Sequence, residues 1–165
     1  MSNPLVLIVM GSDSDLPVME ETAKVLAEFG VPYDMRISSA HRSPKRTAQL
    51  AAEAAGRGIR VIIAGAGMAA HLAGVVASET CLPVIGVPMG GGSLNGMDAL
   101  LATVQMPGGI PVATMAIGKA GAKNAGIFAV QILALGDPQL MKGLADYRER
   151  MSEEVEKKDL ALRKV

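Results

Sequence analysis

Leu5-Val6-Leu7-Ile8-Val9-Met10-Gly11-Ser12-Asp13-Ser14-Asp15 is the stretch that decides the fold of this chain. An unbroken apolar run of this length reads as a strand covered on both faces, as in a parallel sheet. The small and polar residues after it read as a turn into a helix. Ser14 or Asp15 suits the cap, Pro17 suits the first turn, and Val18, Thr22, Val25, Leu26 and Phe29 recur at helical spacing up to Gly30.

The same strand-then-helix grammar repeats outward. Strand-like runs are expected at Leu5–Met10, Tyr33–Ile37, Val61–Ala64, Pro83–Val87 and Val112–Ile117. Helices are expected from Ser43-Pro44 to about Arg57, from near Ala69, from near Gly96, over about Ala120–Leu135, and from about Pro138 to the end. Five such alternations predict an α/β fold, a three-layer α/β/α sandwich with right-handed crossovers. We expect a flavodoxin-like five-stranded parallel sheet of order 2-1-3-4-5, which sets strands one and three side by side at a switch point. Residues 1–165 are expected to form a single domain, with 137–165 a charged amphipathic C-terminal helix. Its stripe is Leu140, Leu144, Tyr147, Met151 and Val155, and its four-apart pairs are Asp146–Arg150, Glu153–Lys157 and Glu154–Lys158.

Composition bounds the partners. The chain has 165 residues, half of them hydrophobic, yet aromatics are 2% and Trp is absent, so Ala, Val, Ile, Leu and Met must build the core. A formal net charge of zero gives no reason to expect nucleic acid or an anionic membrane surface. Two histidines and one cysteine at unrelated spacings form no recognisable metal set. Cys81, the lone cysteine, allows no intramolecular disulfide, is expected to be a buried, inert thiol rather than a nucleophile, and fits a reducing cytoplasm.

Met1-Ser2-Asn3-Pro4 carries no signal-peptide pattern. The stretch Ala99–Gly118 contains no charged residue and tempts a membrane reading, but Pro107, Gly108, Gly109 and Pro111 break it, so helix, turn and buried strand are expected instead. Between Val61 and Gly118 only Glu79 and Asp98 are charged, whereas fourteen charged residues, seven of each sign, follow Gly136. So apolar a middle in so small a domain predicts an oligomer.

Three loops carry the polar chemistry: Gly11–Asp15, Ser38–Pro44 and Gly65–His71. Loops at the carboxyl ends of parallel strands gather on one edge, where ligands bind. Free amides and serine hydroxyls at a helix start attract phosphate, and Asp15 there is either an acceptor for ribose hydroxyls or simply a cap. Arg42 can clamp an anion in two parallel hydrogen bonds. His41 can give and take a proton near neutral pH, or can be an ordinary loop histidine. His71, beyond a glycine-rich turn, suits a structural or ligand-positioning role better than primary catalysis. Gly65-Ala66-Gly67-Met68-Ala69-Ala70 is a weak dinucleotide fingerprint, since it follows the third strand and Ile85-Gly86-Val87 supplies no acid. Its glycines are places where backbone can approach a ligand. Gly90-Gly91-Gly92-Ser93 is either a loop that closes over the site or a plain connector. Together these groups imply a phosphoribosyl site with one proton-transfer residue.

GSDSD (11–15), SAHRSP (39–44), AGAGMAAHLAG (64–74), LPVIGVP (82–88) and VQMPGGIPVAT (104–114) together resemble the 5-carboxyaminoimidazole ribonucleotide mutase family of purine (IMP) biosynthesis, in its bacterial branch. The resemblance implies a cofactor-free, metal-free homo-octamer. It would move a carboxylate from the exocyclic nitrogen to the ring carbon of an aminoimidazole ribonucleotide. By that pattern His41 is the catalytic acid and base, and Ser12, Ser14, Asp15, Ser39, Ala40, Arg42, Gly67, Ala69, His71 and Leu72 line the substrate pocket. Leu16, Ala73 and Ala99 depart from the Trp, Pro and Ser frequent in the family. The alternatives are an enzyme that carboxylates the aminoimidazole directly with carbon dioxide and a phosphoribosyl-binding module without catalysis. A flavin protein is disfavoured by the scarcity of aromatic rings for stacking.

Overall fold

The computed structural model describes residues 3–163. Positions 1 and 2 of the N-terminal tetrapeptide, and positions 164 and 165 of the expected C-terminal helical segment, lie outside them. The strands are β1 (Val6–Met10), β2 (Tyr33–Ile37), β3 (Val61–Ala66), β4 (Val84–Pro88) and β5 (Ala113–Thr114). All neighbours are parallel, in the order β2-β1-β3-β4-β5, so the expected sheet is the observed one.

Strand alternation explains the layers. In β1, Val6, Ile8 and Met10 point to one face and Leu7 and Val9 to the other. Helices α1 (Leu16–Glu28) and α5 (Lys119–Ala134) cover the first face, with Met19, Leu26, Ala122, Ala125 and Ala129 buried there. Helices α2 (Pro44–Ala54) and α3 (Leu72–Ser78) cover the second through Ala51, Ala54, Leu72, Ala73 and Val76. Helix α4 (Met97–Val104) lies beside β4 and β5. Small alanines let α1 and α5 approach closely, which compensates for the missing aromatic bulk. Between them the Thr22 hydroxyl donates to the Ala122 carbonyl at 2.7 Å, so its burial leaves no orphaned oxygen.

The fifth strand is shorter than the run Val112–Ile117 implied. As an edge strand it pairs only through Ala113 and Thr114, opposite Ile85 and Gly86, before the chain turns toward α5. The C-terminal helix α6 (Pro138–Leu162) is capped by the Asp137 carboxylate, which accepts from the amides of Gln139 and Leu140. Its first half packs down through Leu144 and Tyr147, the latter tilted against Phe29 with ring centroids 5.6 Å apart. From Met151 onward the stripe is exposed. Glu153 and Lys157 approach to 3.7 Å, but Arg150 turns from Asp146 to Glu28, at 3.2 Å, because the α1 end lies beneath it.

Cys81 corrects an expectation: it is exposed. The Thr80 hydroxyl accepts from the Leu82 amide at 3.2 Å, and this turn into β4 puts position 81 on the surface.

On edge strand β2, Asp34 accepts from Arg36 and from Arg57. Its partial burial would raise its pKa, but the two guanidiniums outweigh that and hold it below 3.8. The stabilisation is therefore present at neutral pH and is lost as pH falls through the lowered value. Asp34→Asn is expected to cost about 1 kcal/mol at neutral pH. In urea unfolding its deficit against the wild type should shrink as the pH is taken below 3.8.

Candidate active site

Strand order places the chemistry. β1 and β3 are neighbours, yet the chain leaves β1 for α1 on one face and β3 for α3 on the other. A crevice must open between the two departing loops. Beyond β1, the Gly11 amide continues the ladder by donating to the Gly65 carbonyl at 3.1 Å.

The first loop is pinned by a capping box. Ser12 Oγ accepts from the Ser14 amide at 3.3 Å, and Asp15 Oδ2 accepts from the Ser12 amide at 3.2 Å. The side-chain cap of this turn is thus Ser12 rather than Ser14 or Asp15, and Asp15 occupies the α1 cap position without a side-chain capping bond. Burial in the crevice raises the Asp15 carboxyl above 3.8, although the Ser12 amide and Ser14 pull it down. Among the described residues no Lys, Arg or His nitrogen lies within salt-bridge distance of it. A half-buried carboxylate without a cation suits hydroxyl donors from a ligand.

The second loop is tied at its base. Ser43 Oγ donates to the Ser39 carbonyl at 3.0 Å and accepts from the Ser39 amide at 3.0 Å. Ser39 Oγ accepts from the Arg42 amide at 3.1 Å. Ser43 thus closes the loop on itself instead of capping α2 with its side chain. Ser38, drawn into the interior, shares a 2.8 Å bond with Thr47 and serves the fold. The five-residue knot Ser39–Ser43 holds His41 and Arg42 at its tip, and Arg42 Nη2 reaches back to the Gly11 carbonyl at 3.4 Å.

The third loop departs from expectation at its start. Helix α3 begins at Leu72, later than Ala69, because residues 68–71 form two tight turns. His71 stands at the cap position without a side-chain capping bond. Its Nδ1 instead meets His41 Nε2 at 2.8 Å, with the rings edge-on at 84°. One of the two nitrogens donates and the other accepts, so the pair holds one proton between two rings.

These loops enclose a cleft of about 600 Å³. Ser12, Ser14, Asp15, Ser39, Ala40, His41, Arg42, Gly67, Ala69, His71 and Leu72, all singled out from sequence, line it. Sequence reasoning included Met68 only as part of the Gly67–Leu72 turn, passed over Met89, and left open whether Gly90–Gly92 belonged to a site; all line the same cleft. No local signal marks Met68 or Met89, since their position depends on β3 and β4 lying together. A polar groove continues outward past Ser12, Arg42 and Ser43 to Arg46. Among the described residues no three His, Cys, Asp or Glu side chains cluster as metal ligands.

If Asp15 accepts ribose hydroxyls, KM should rise on acidification as its carboxyl protonates, at a higher pH than for a free aspartate. Asp15→Asn should bind more weakly and show no such rise. A KM profile against pH reads both.

A parallel α/β sheet with serine-rich turns, an arginine and paired histidines at its switch point gathers groups that can hold an anion, accept from hydroxyls and move a proton. Residues 5–154 match the profile of the AIR carboxylase family, and the chain belongs to that family. It is 57% identical over 155 residues to the N5-carboxyaminoimidazole ribonucleotide mutase of Pyrococcus horikoshii, covering 94% of this chain and 86% of that one. It is 55% identical over 162 residues to the Thermotoga maritima protein of the same name, covering 98% and 94%. Among solved structures, Treponema denticola PurE superposes with a TM-score of 0.87 at 31% identity, over 96% of this chain and 98% of that one.

Proposed function

We propose that this chain is a 5-(carboxyamino)imidazole ribonucleotide mutase of purine biosynthesis, and that residues 1–165 work as one catalytic domain. The observation that carries the reading is the convergence of His41, Arg42, Ser12 and Asp15 on one cleft from two separate loops. Family membership and the mutases among its relatives support the same reaction.

His41 donates a proton to the exocyclic carbamate nitrogen. The bond from that nitrogen to the carboxyl carbon breaks, its electron pair stays on nitrogen, and carbon dioxide is released inside the cleft. The electron-rich ring carbon then attacks the trapped carbon dioxide, and the proton displaced from the ring returns to His41. Confinement favours this internal capture over escape. Arg42 and the amides and hydroxyls of Ser12, Ser14 and Ser39 hold the phosphate, Asp15 the ribose, and the Gly67–Leu72 turn, with Ala69 and His71, lines the heterocycle. The steps are proton transfer, carbon–nitrogen cleavage and carbon–carbon bond formation, none of which needs an external oxidant or reductant, so no cofactor is invoked.

We further propose a homo-octamer in the cytoplasm. Met97, Leu101 and Val104 on α4, and Met151, Val155 and Leu162 on α6, are exposed apolar residues that subunit contacts would cover. Among the described residues no helix is long and apolar enough to cross a membrane.

The test is incubation with the carbamate ribonucleotide, without ATP or added bicarbonate. Appearance of the carbon-carboxylated isomer supports the mutase. Binding without conversion would point to a passive module, and product formed only from the free aminoimidazole ribonucleotide plus carbon dioxide to a direct carboxylase.

A further inference from the structure

Met68 belongs to the Gly67–Leu72 turn that lines the heterocycle, and its position is unusual in three ways. Its φ is +54°, a left-handed backbone that side chains other than Asn, Asp and Gly rarely adopt. It is 66% exposed, although long apolar residues elsewhere around the cleft, Leu72 and Met89, are buried. It also stands at a point where two walls of the cleft approach: a β-carbon built on Gly92 would lie 3.6 Å from Met68 Cγ. The wall facing it, Gly90-Gly91-Gly92, has no side chains at all, and Gly91 and Gly92 have φ of +141° and +64°. That loop can bring backbone near a ligand but cannot supply apolar cover.

We propose that Met68 is the covering residue of the cleft: its thioether side chain folds over the bound heterocycle and shuts water out while carbon dioxide is free. The inference rests on the mutase reading. Among the described residues it is the one exposed large apolar side chain in the cleft lining, and methionine is flexible enough to lie down on a flat ring. The left-handed backbone is a conformational cost that a glycine at this position would avoid. Structural economy therefore does not explain a methionine here, whereas a need for apolar cover opposite a bare glycine wall does.

When cover fails, carbon dioxide escapes after the nitrogen–carbon bond has broken. The electron pair and the proton from His41 then remain on the exocyclic nitrogen, and free aminoimidazole ribonucleotide leaves, His41 recovering its proton from water. Leakage is therefore the readout.

Carbamate ribonucleotide labelled with ¹³C in the carboxylate is turned over in unlabelled bicarbonate buffer, and product label and free aminoimidazole ribonucleotide are measured. The wild type should retain the label. Met68→Gly and Met68→Asn, which both suit the left-handed backbone, should raise the leaked fraction roughly tenfold while keeping the thermal midpoint unchanged or higher. Met68→Leu, which keeps apolar bulk, should stay close to the wild type in leakage. Leakage by Met68→Gly within twofold of the wild type, or equal leakage by Met68→Leu and Met68→Gly, overturns the proposal. A wild type that converts no carbamate at all would instead overturn the mutase reading beneath it.

Discussion

His41→Asn is expected to lower kcat about a thousandfold, the usual worth of a positioned proton-transfer group, while nucleotide KM changes only a few-fold. Asparagine keeps much of the imidazole's size and hydrogen-bonding reach but cannot take up and return a proton at neutral pH. The loop that carries it should survive, because Ser39, Ser43 and Thr47 tie that loop without help from the His41 side chain. The neighbouring ring supplies an internal control. His71 lies 2.8 Å from His41 and could in principle stand in for it. As a partner that orients His41 it should lose far less on replacement, with kcat for His71→Asn falling by no more than about tenfold. Single-turnover rates of both variants decide the assignment: a His41→Asn enzyme working at wild-type speed would remove His41 from the chemistry.

The second large effect concerns stability. Gly121 sits in the first turn of α5, where the chain returning from β5 crosses directly over it. A β-carbon added there would lie 2.6 Å from the Ala116 carbonyl carbon and nearer still to its oxygen. Backbone, unlike the tip of a methionine, cannot swing aside, so α5 would have to lift from a face it buries through Ala122, Ala125 and Ala129. Gly121→Ala should therefore cost about 3 kcal/mol, lowering the thermal midpoint by roughly 10 °C. Gly56→Ala is the matched control. Its added carbon would meet nothing within 4 Å, so reduced freedom of the unfolded chain should make it neutral or stabilising by about 0.5 kcal/mol. Thermal melts at one protein concentration compare the two, and equal midpoints would show that the crossing is looser than the geometry requires.

What the sequence determined by itself was whatever depends on neighbours within a turn or two. The run Leu5–Met10, the proline-started helix at Pro44 and the stop at Gly136-Asp137-Pro138 express strand burial, fixed φ and capping, which are local physics, and each element formed within a few residues of its expected bounds. The candidate residues were legible because chemistry in parallel sheets collects after strands, so position along the chain already indicated a shared rim.

Tertiary structure alone decided the rest. Two ladder residues in β5, where the run offered six, reflect where the chain leaves the edge of β4 and turns toward α5. Exposure of Cys81 follows from the turn that launches β4. The His41–His71 bond, between residues thirty apart, and the meeting of Met68 with the Gly92 wall together require β2, β1, β3 and β4 to lie in one order. Such contacts carry no periodicity or cap to announce them. They exist because non-local strand pairing brings distant loops together, and that pairing is a property of the whole chain.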